Sequence, residues 1–469
     1  MSRTMTKDLT EGSPLKQILL FAAPLLFGML FQQFYSFVDT AIVGRYLGAE
    51  KLAAVGATGS VNFLVIGLCM GFCSGFAIPI AQAFGAKNEH EVRRGVWHAA
   101  VLSAGLSLIF GLAATFLCKP LLRLMNTPEE ILDSSASYIR IIFAAIPCCV
   151  LYNMAGGILR SLGDSRTPVL FLVLASLVNI ALDLFLIIVC GMDVAGAAVA
   201  TAVSQLIAGL GCLLVILKKF PILKLTKEDR RLSLRRSRSM LGVGLPMGLQ
   251  FSITAIGSVM VQWSVNGLGV NAVAAVSAAG KLSMFFACVF DALASTMATF
   301  AGQNTGARRL DRVRQGLRAA SYIGMVYCVL ALGVVLLLGD RMLGLFIDGD
   351  ANAAVMEMGF RYLRINAAFY IPLLFVNILR LCIQGMGFTR VAMFAGLSEM
   401  LARTVVALLV VPAAGFTGAC FANPAAWIMA DLFLFPCYFR LMRSLEGRLM
   451  PGTEETGGQG RIIRLRKAA

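Results

Sequence analysis

Four polar side chains interrupt long apolar stretches of this 469-residue chain. Asp39 lies late in the first stretch, Asn179 and Asp183 lie in the fifth, and Thr201 lies in the sixth. A helix would place Asn179 and Asp183, four residues apart, on one face. Carboxylate, amide and hydroxyl oxygens suit a small hard cation, and a carboxylate removed from water also suits a proton. These residues predict a cation site, with a hydrogen-bonded packing network as the alternative.

The chain around these residues is strongly apolar. It has 58% hydrophobic residues, 14% charged residues and a mean hydropathy of +0.80. Globular proteins have about 45–50% apolar and about 25% charged residues, so these values exclude an ordinary cytosolic enzyme. They are typical of a chain that lies mostly in a lipid bilayer.

Twelve apolar stretches reach the roughly 20 residues that a membrane-spanning helix needs. We predict an all-α integral membrane protein, because a backbone in lipid must satisfy its own hydrogen bonds and the alternation of a barrel is absent. The predicted spans are 15–39, 53–80, 93–118, 131–158, 167–190, 194–217, 239–265, 272–300, 316–338, 355–383, 390–412 and 416–440.

The fifth and sixth helices are expected to form a hairpin that turns near Met192. Asp183 lies nine residues before that point and Thr201 lies nine residues after it. The two residues are therefore expected at similar depth. The same count pairs Asn179 with Gln205, one helical turn deeper.

Basic residues predict the orientation of this layout. Of the 41 Lys and Arg residues, 30 lie in the termini, in the even-numbered connections or at the adjoining helix ends, and five lie in the odd-numbered connections. Positively charged loops stay in the cytoplasm, so both termini are expected inside. The same bias explains the net charge of +16, and we expect no nucleic-acid partner. The N-terminal apolar stretch is interpreted as a spanning helix rather than a signal peptide.

The chain repeats itself at an offset of 221 residues. LGAEKLAAVGA at 47–57 returns as LGVNAVAAVSA at 268–278, and Gln82 and Gly85 return as Gln303 and Gly306. Such a parallel repeat predicts two six-helix bundles, related by a pseudo-two-fold axis along the membrane normal, that rock about a central cavity. The predicted parts are an N-lobe at 1–217, a basic cytoplasmic linker at 218–238, a C-lobe at 239–441 and a basic cytoplasmic tail at 442–469.

The sequence lacks the motifs that several functions require. The phosphate-binding G-x-x-x-x-G-K-[ST] pattern, His-Glu-x-x-His and CxxC are all absent, and His90 and His98 are too few for a metal cluster. We therefore expect no enzyme activity, no catalytic residue, no cofactor and no use of ATP. A transporter driven by an ion gradient, a flippase for a lipid-linked precursor and a channel remain.

Further ionisable residues in the predicted spans each carry an insertion penalty of roughly 2.5–3.5 kcal/mol. Glu399 and Arg403 have i, i+4 spacing and are expected to neutralise each other. Lys281 is a candidate partner for Asp291, and a contribution of Asp291 or Asp431 to substrate or ion binding is left open. In the first helix, Pro24 predicts a bend that is either static or coupled to Asp39.

Several motifs together resemble one transporter family, the multidrug and toxic compound extrusion family. The first is VDTAIVGRYLGAEKLAAVG, which follows Pro24, Gln33 and Tyr35 in the first predicted helix. The second is AQAFGAKN at 81–88, which is repeated as AGQNTGAR at 301–308. The others are YIRI at 138–141 and LRSLGDSRTP at 159–168. The resemblance covers nearly the whole chain.

This resemblance implies a prokaryotic antiporter of the cytoplasmic membrane. Na⁺ or H⁺ would enter while amphipathic, often cationic, drug-like compounds leave by alternating access, with two fused lobes working as a monomer. In the branch whose cation site lies in the N-terminal lobe, the functional positions match Asp39, Asn179, Asp183 and Thr201. Pro24 and Tyr35 match the bending first helix and its hydrogen-bond network.

One departure from the family concerns the C-lobe. Another branch carries an essential glutamate in the seventh helix, and counting from Pro246 brings that position to about Thr254. The predicted helix 239–265 has no acidic residue, so a C-lobe cation site of that type is not expected. The flippase alternative would need cationic cavity residues, for which Lys281, Arg380 and Arg403 are the candidates in the C-lobe.

Overall fold

The computed structural model describes residues 7–125, 127–345 and 353–449. The described residues form helices and connections, with no β-strand among them. Ten helices are long and apolar enough to cross a membrane, and two further pairs of helices, bent by 44° and 53°, each complete one span. The predicted all-α fold with twelve spans is confirmed.

The first six spans form the N-lobe. They are α1 (Pro14–Leu47), α2 (Glu50–Gly85), α3 (Glu89–Leu124), α4 (Glu129–Ala144 and Ile146–Ser161), α5 (Arg166–Val189) and α6 (Val194–Lys219). The other six form the C-lobe. They are α7 (Leu234–Asn266), α8 (Val270–Gly306), α9 (Leu310–Leu343), α10 (Ala353–Ala368 and Tyr370–Gly385), α11 (Thr389–Cys420) and α12 (Ala422–Arg448).

The largest difference from the predicted spans is at the end of α11. The prediction placed a connection at 413–415, whereas the structure continues the span to Cys420 and turns at Phe421. Pro412 stands at the start of a new helical segment, where proline is tolerated, and Gly415 absorbs a local kink with φ of 59°. Of the predicted tail, 442–448 is helical as part of α12, and 450–469 lies outside the described residues.

The sequence repeat is visible in the backbone. Lys87 and Arg308 both adopt left-handed φ values, 54° and 58°, at the turns after α2 and α8. A five-residue π-helical segment occurs in α5 at Phe185–Val189 and in α11 at Val406–Val410. The left-handed turn residues and the π-helical segments recur at equivalent positions of the repeat. The two lobes therefore share the same backbone fold.

The two lobes contact each other on the face that carries residues 7–12 and the linker between the lobes, which we call the terminal face. A Cβ atom on Gly85 would lie 1.9 Å from the Gln303 carbonyl oxygen, and one on Gly306 would lie 1.9 Å from the Gln82 carbonyl oxygen. Only glycine allows this approach of α2 and α8. The cleft between the lobes is therefore closed at the terminal face.

The repeated glutamines complete this closure with matching hydrogen bonds. Gln82 of the N-lobe donates to the Gly385 carbonyl of the C-lobe at 3.0 Å, and Gln303 donates to the Ser161 carbonyl at 2.8 Å. Gln303 also accepts from the backbone N–H of Leu9, so the N-terminal segment is attached to the same contact. The repeated segments that contain Gln82 and Gln303 therefore join the two lobes.

Candidate functional site

The centre of the predicted site is a buried pair on α5. Asn179 and Asp183 are 1% and 0% exposed. In the orientation that satisfies both ends of its amide, Asn179 donates to Asp183 Oδ2 at 3.2 Å and accepts from the Thr201 backbone N–H at 3.2 Å. The i, i+4 spacing places both side chains on one face of α5. The structure thus brings three of the predicted residues together in the interior of the N-lobe.

Asp39 extends this group from α1. Its carboxyl group lies within hydrogen-bonding reach of the Asp183 carboxyl group. Oδ1 of Asp39 and Oδ1 of Asp183 are both buried without a hydrogen-bond donor. Carboxylate oxygens only accept hydrogen bonds, so a hydrogen bond between these two groups needs a proton on one of them. The site is therefore rich in acceptors and short of donors.

Two tyrosines surround the carboxylates. Tyr35 lies one helical turn before Asp39 on α1, and both Asp39 and Asp183 are its electrostatic neighbours. Tyr138 of α4 has the same two carboxyl groups and Tyr35 as neighbours and is 9% exposed. The sequence identified Tyr138 only as part of the YIRI motif. Its position beside the site was missed because spacing within α4 does not reveal which face of that helix meets α1.

The depth of the hairpin differs by about one turn from the prediction. Asn179, rather than Asp183, meets Thr201, and the contact is made by the Thr201 backbone N–H rather than its hydroxyl. The π-helical segment Phe185–Val189 lies between Asp183 and the hairpin turn and accounts for part of the shift. A wider turn holds more residues and advances less per residue, so Asp183 lies nearer to the hairpin turn than an α-helical count gives.

Pro24 lies inside α1, and the helix continues through it from Pro14 to Leu47. The proline removes one backbone hydrogen bond fifteen residues before Asp39. The missing bond is the one to the Leu20 carbonyl, so the weakest turn of α1 is at residues 20–24, before the part of the helix that carries Tyr35 and Asp39.

The C-lobe contains a second charged cluster, and it differs from the expected pair. Glu399 and Arg403 of α11 do approach each other, at 3.8 Å, but Arg380 of α10 is the closer partner of Glu399. The three side chains are 3–7% exposed. Arg380 was missed as this partner because it lies on another helix, at a sequence distance that helix periodicity cannot interpret. Glu399 thus contacts two of the three cations that a flippase would need and cancels one of their two charges.

Lys281 does not pair with Asp291. Ten residues of α-helix separate them by about 15 Å along the axis. Instead, the ammonium group of Lys281 lies over the ring of Phe37 on α1, 5.2 Å from its centroid. A cation–π contact at an exposed site is worth about 0.5–1 kcal/mol, less than the roughly 2.5–3.5 kcal/mol penalty for inserting a lysine. Within the described part of the chain, no carboxylate lies within 4.0 Å of this ammonium group.

The N-lobe site can hold a cation or a proton but offers little to a metal cofactor. Within residues 7–125, 127–345 and 353–449, no group of three or more His, Cys, Asp or Glu side chains has the arrangement of a metal site. The two orphan carboxylate oxygens fit a small positive species that bridges α1 and α5. A buried acidic pair in a two-lobed, twelve-span membrane protein defines a transporter rather than an enzyme.

Comparison with known proteins gives the family. Residues 24–185 and 246–409, more than half of the chain, match the MatE family profile. The chain therefore belongs to the MatE family, the multidrug and toxic compound extrusion transporters. It is a multi-pass membrane transporter.

Relatives and solved structures agree with this assignment. The chain is 32% identical over 375 residues to the probable multidrug resistance protein YpnP of Bacillus subtilis strain 168, covering 79% of this chain and 82% of that protein. It is 27% identical over 312 residues to the FAD transporter of Shewanella oneidensis, covering 65% and 69%. A crystal structure of MATE in the bent conformation superposes with a TM-score of 0.87 at 24% identity, over 96% of this chain and 99% of that one. The last match shows the shared fold.

Proposed function

We propose that this protein is an antiporter that exports amphipathic, drug-like compounds in exchange for a cation bound between Asp39 and Asp183. The observation that carries the proposal is the contact of two carboxyl groups from different helices. Two unit charges about 4 Å apart repel by about 4 kcal/mol at an effective dielectric constant of 20. A cation or proton between them removes that repulsion and holds α1 to α5.

The available ligands favour a proton over Na⁺ as the coupling ion. Hard metal cations are usually bound by about six or more oxygens. Here Asn179 directs its oxygen to the Thr201 N–H and its nitrogen to Asp183 Oδ2. The two orphan Oδ1 atoms remain as ligands. A single proton shared by two carboxyl groups needs no larger set.

Release of the proton is expected to change the shape of α1. Without it, the charges of Asp39 and Asp183 repel, and the helix can move at its weak point near Pro24. A compound that binds best to one shape of the cleft then competes with the proton, which gives exchange by alternating access. Two relatives, a probable multidrug resistance protein and an FAD transporter, support a small-molecule cargo.

The membrane setting follows from charge. The basic connections lie on the terminal face together with residues 7–12 and the end of α12, which supports a cytoplasmic location for that face in a bacterial inner membrane. The fused lobes supply both halves of the cleft, which supports a monomer as the working unit. A lipid-precursor flippase is less favoured, because Arg380 and Arg403 are occupied by Glu399.

Transport in proteoliposomes tests this proposal. Purified full-length protein is reconstituted, a fluorescent organic cation is loaded, and a pH gradient or a sodium gradient is imposed separately. We expect efflux with the pH gradient alone in the wild type and at least a tenfold loss in D39N and D183N, since an amide cannot hold the exchanged proton.

Glu130→Gln is the matched control, because Glu130 is an exposed acidic residue away from the site. It is expected to transport like the wild type. Wild-type rates in D39N and D183N would refute the site, and efflux driven by sodium without a pH gradient would refute the proton.

A further inference from the structure

Lys281 carries a positive charge on a spanning helix. The proposed exchange does not use this residue. It lies eleven residues into α8, about 16 Å along the helix axis from the end away from the terminal face. Its side chain is exposed, and its described contact is with the face of Phe37. An ionisable residue at this position indicates a functional site by default.

The cavity beside Lys281 lies between the lobes. It has a volume of about 130 Å³ and is formed by α1 of the N-lobe and α8 of the C-lobe. The α1 residues that line it are Gln33, Ser36, Phe37 and Thr40. Their spacing of three and four residues forms one stripe along α1. Thr40 donates its hydroxyl to the Ser36 carbonyl at 2.8 Å, which leaves the Ser36 hydroxyl and the Gln33 amide as donors facing the cavity with Lys281.

The other walls are apolar. Met284 and Phe285 of α8 complete the lining, and the rings of Phe37 and Phe285 lie 6.2 Å apart. An ammonium group, a hydroxyl and an amide next to two aromatic rings form a site for an apolar or aromatic molecule that carries one anionic group. Carboxylate and phosphate oxygens would accept from these donors, whereas a compound without an anionic group would leave Lys281 without a counter-charge.

From this juxtaposition we propose that the cavity between α1 and α8 binds the anionic group of the transported compound, with Lys281 as its counter-charge. The exported compounds then include amphiphiles with a carboxylate or phosphate beside an aromatic body. This deepens the proposed export function and rests on it.

The two faces of α1 explain how such a site takes part in exchange. Tyr35 and Asp39 form one stripe toward α5, and Ser36, Phe37 and Thr40 form another toward α8. Movement of α1 after loss of the proton therefore displaces Phe37 and Ser36 relative to Lys281. The ion site and the anion subsite share one helix and are coupled through it.

Binding of two dyes that differ at one group tests the proposal. Rhodamine 110 carries a free carboxylate, and rhodamine 123 is its methyl ester. Fluorescence polarisation is measured with the full-length protein in phosphatidylcholine nanodiscs. We expect the wild type to bind the carboxylate form about tenfold more tightly than the ester. K281Q is expected to lose the difference, and K281R to keep most of it.

Lys218→Gln, at an exposed position near the end of α6, is the charge-matched control and is expected to keep the preference. Equal affinities in the wild type, or a preserved preference in K281Q, would overturn the proposal. A preference abolished by added phosphatidylglycerol would assign the cavity to a lipid headgroup and also overturn it. No gradient is involved, so this result is independent of the efflux experiment with D39N.

Discussion

At the scale of single residues, buried charges in the two lobes have different partners. Asp39 and Asp183 face each other with two orphan oxygens, which leaves room for a mobile proton. Glu399 instead lies between Arg380 and Arg403, so its charge is compensated by fixed cations. We propose that the first arrangement changes with the bound ion, whereas the second joins α10 to α11.

Removal of the Glu399 charge is expected to destabilise the C-lobe. E399Q leaves two buried guanidinium groups without their carboxylate, and breaking a buried pair of this kind costs about 3–5 kcal/mol. E357Q is the control, since Glu357 pairs with Arg361 on the surface of α10, with side chains 72% and 40% exposed. Such a pair is worth about 0.3–0.5 kcal/mol. Chemical unfolding of the purified protein measures both, and equal stability of the two variants would contradict this assignment.

The residues that lie together in the proposed ion site could be selected from the sequence, and their partners could not. Polar residues are rare in spans and are visible in the sequence, so Asp39, Asn179 and Asp183 could be selected from it. Tyr138 and Arg380 could not, because their importance depends on which helix faces which. The contact of Thr201 through its backbone N–H was also beyond sequence reasoning, because side-chain chemistry had suggested its hydroxyl.

At the scale of elements, the linker between the lobes is anchored rather than free. Asp229 is fully buried and accepts from the backbone N–H and hydroxyl of Thr226 and from Arg93 Nε at 3.0 Å on α3. Burial raises the pKa of this carboxyl group, but the hydrogen bonds from Thr226 and Arg93 outweigh burial and hold the pKa below its usual value. Arg236 adds a contact with Glu91 near the start of α3. The basic sequence 218–238 had indicated only a cytoplasmic linker.

Asp229→Asn is expected to release this linker. Because the pKa of Asp229 is lowered in the folded protein, its charge stabilises the docked linker fully above the ordinary carboxyl pKa of about 4. This stabilisation is lost as the pH falls through the pKa that Asp229 has in the folded protein. The amide imitates the protonated form at neutral pH, so trypsin should cleave after Arg230 or Arg231 several times faster than in the wild type. Glu228→Gln, at the exposed neighbouring position, is the control. Equal cleavage of all three proteins would show that Asp229 does not hold the linker.

Helix positions were predicted well where apolar runs ended at charged residues and less well where irregular backbone lay inside a span. The first predicted span stopped at residue 39, whereas α1 continues to Leu47, because its last turns remain helical beyond the apolar stretch. The bends within α4 and α10, of 44° and 53°, lie just before Pro147 and Pro372. Proline removes a backbone hydrogen bond, so both bends have a signal in the sequence that the predicted spans did not use.

At the scale of the whole molecule, the internal repeat explains both closure and coupling. The repeated glycines close the terminal face through reciprocal contacts between α2 and α8, and the repeated glutamines add hydrogen bonds to α10 and α4. The cavity at Lys281 lies farther along the same cleft, where α1 and α8 face each other. Because α1 carries the carboxyl group on one side and cavity residues on the other, binding of a compound and loss of a proton are expected to be linked reciprocally.

Proton release on substrate binding tests this link most directly. Rhodamine 110 is added to purified protein in weakly buffered solution near neutral pH, and the proton count is read with a pH indicator. The account predicts release of about one proton per bound dye, and no release in D39N or D183N that still bind it. Binding without proton release in the wild type, or unchanged release in both variants, would contradict coupling through the Asp39–Asp183 pair.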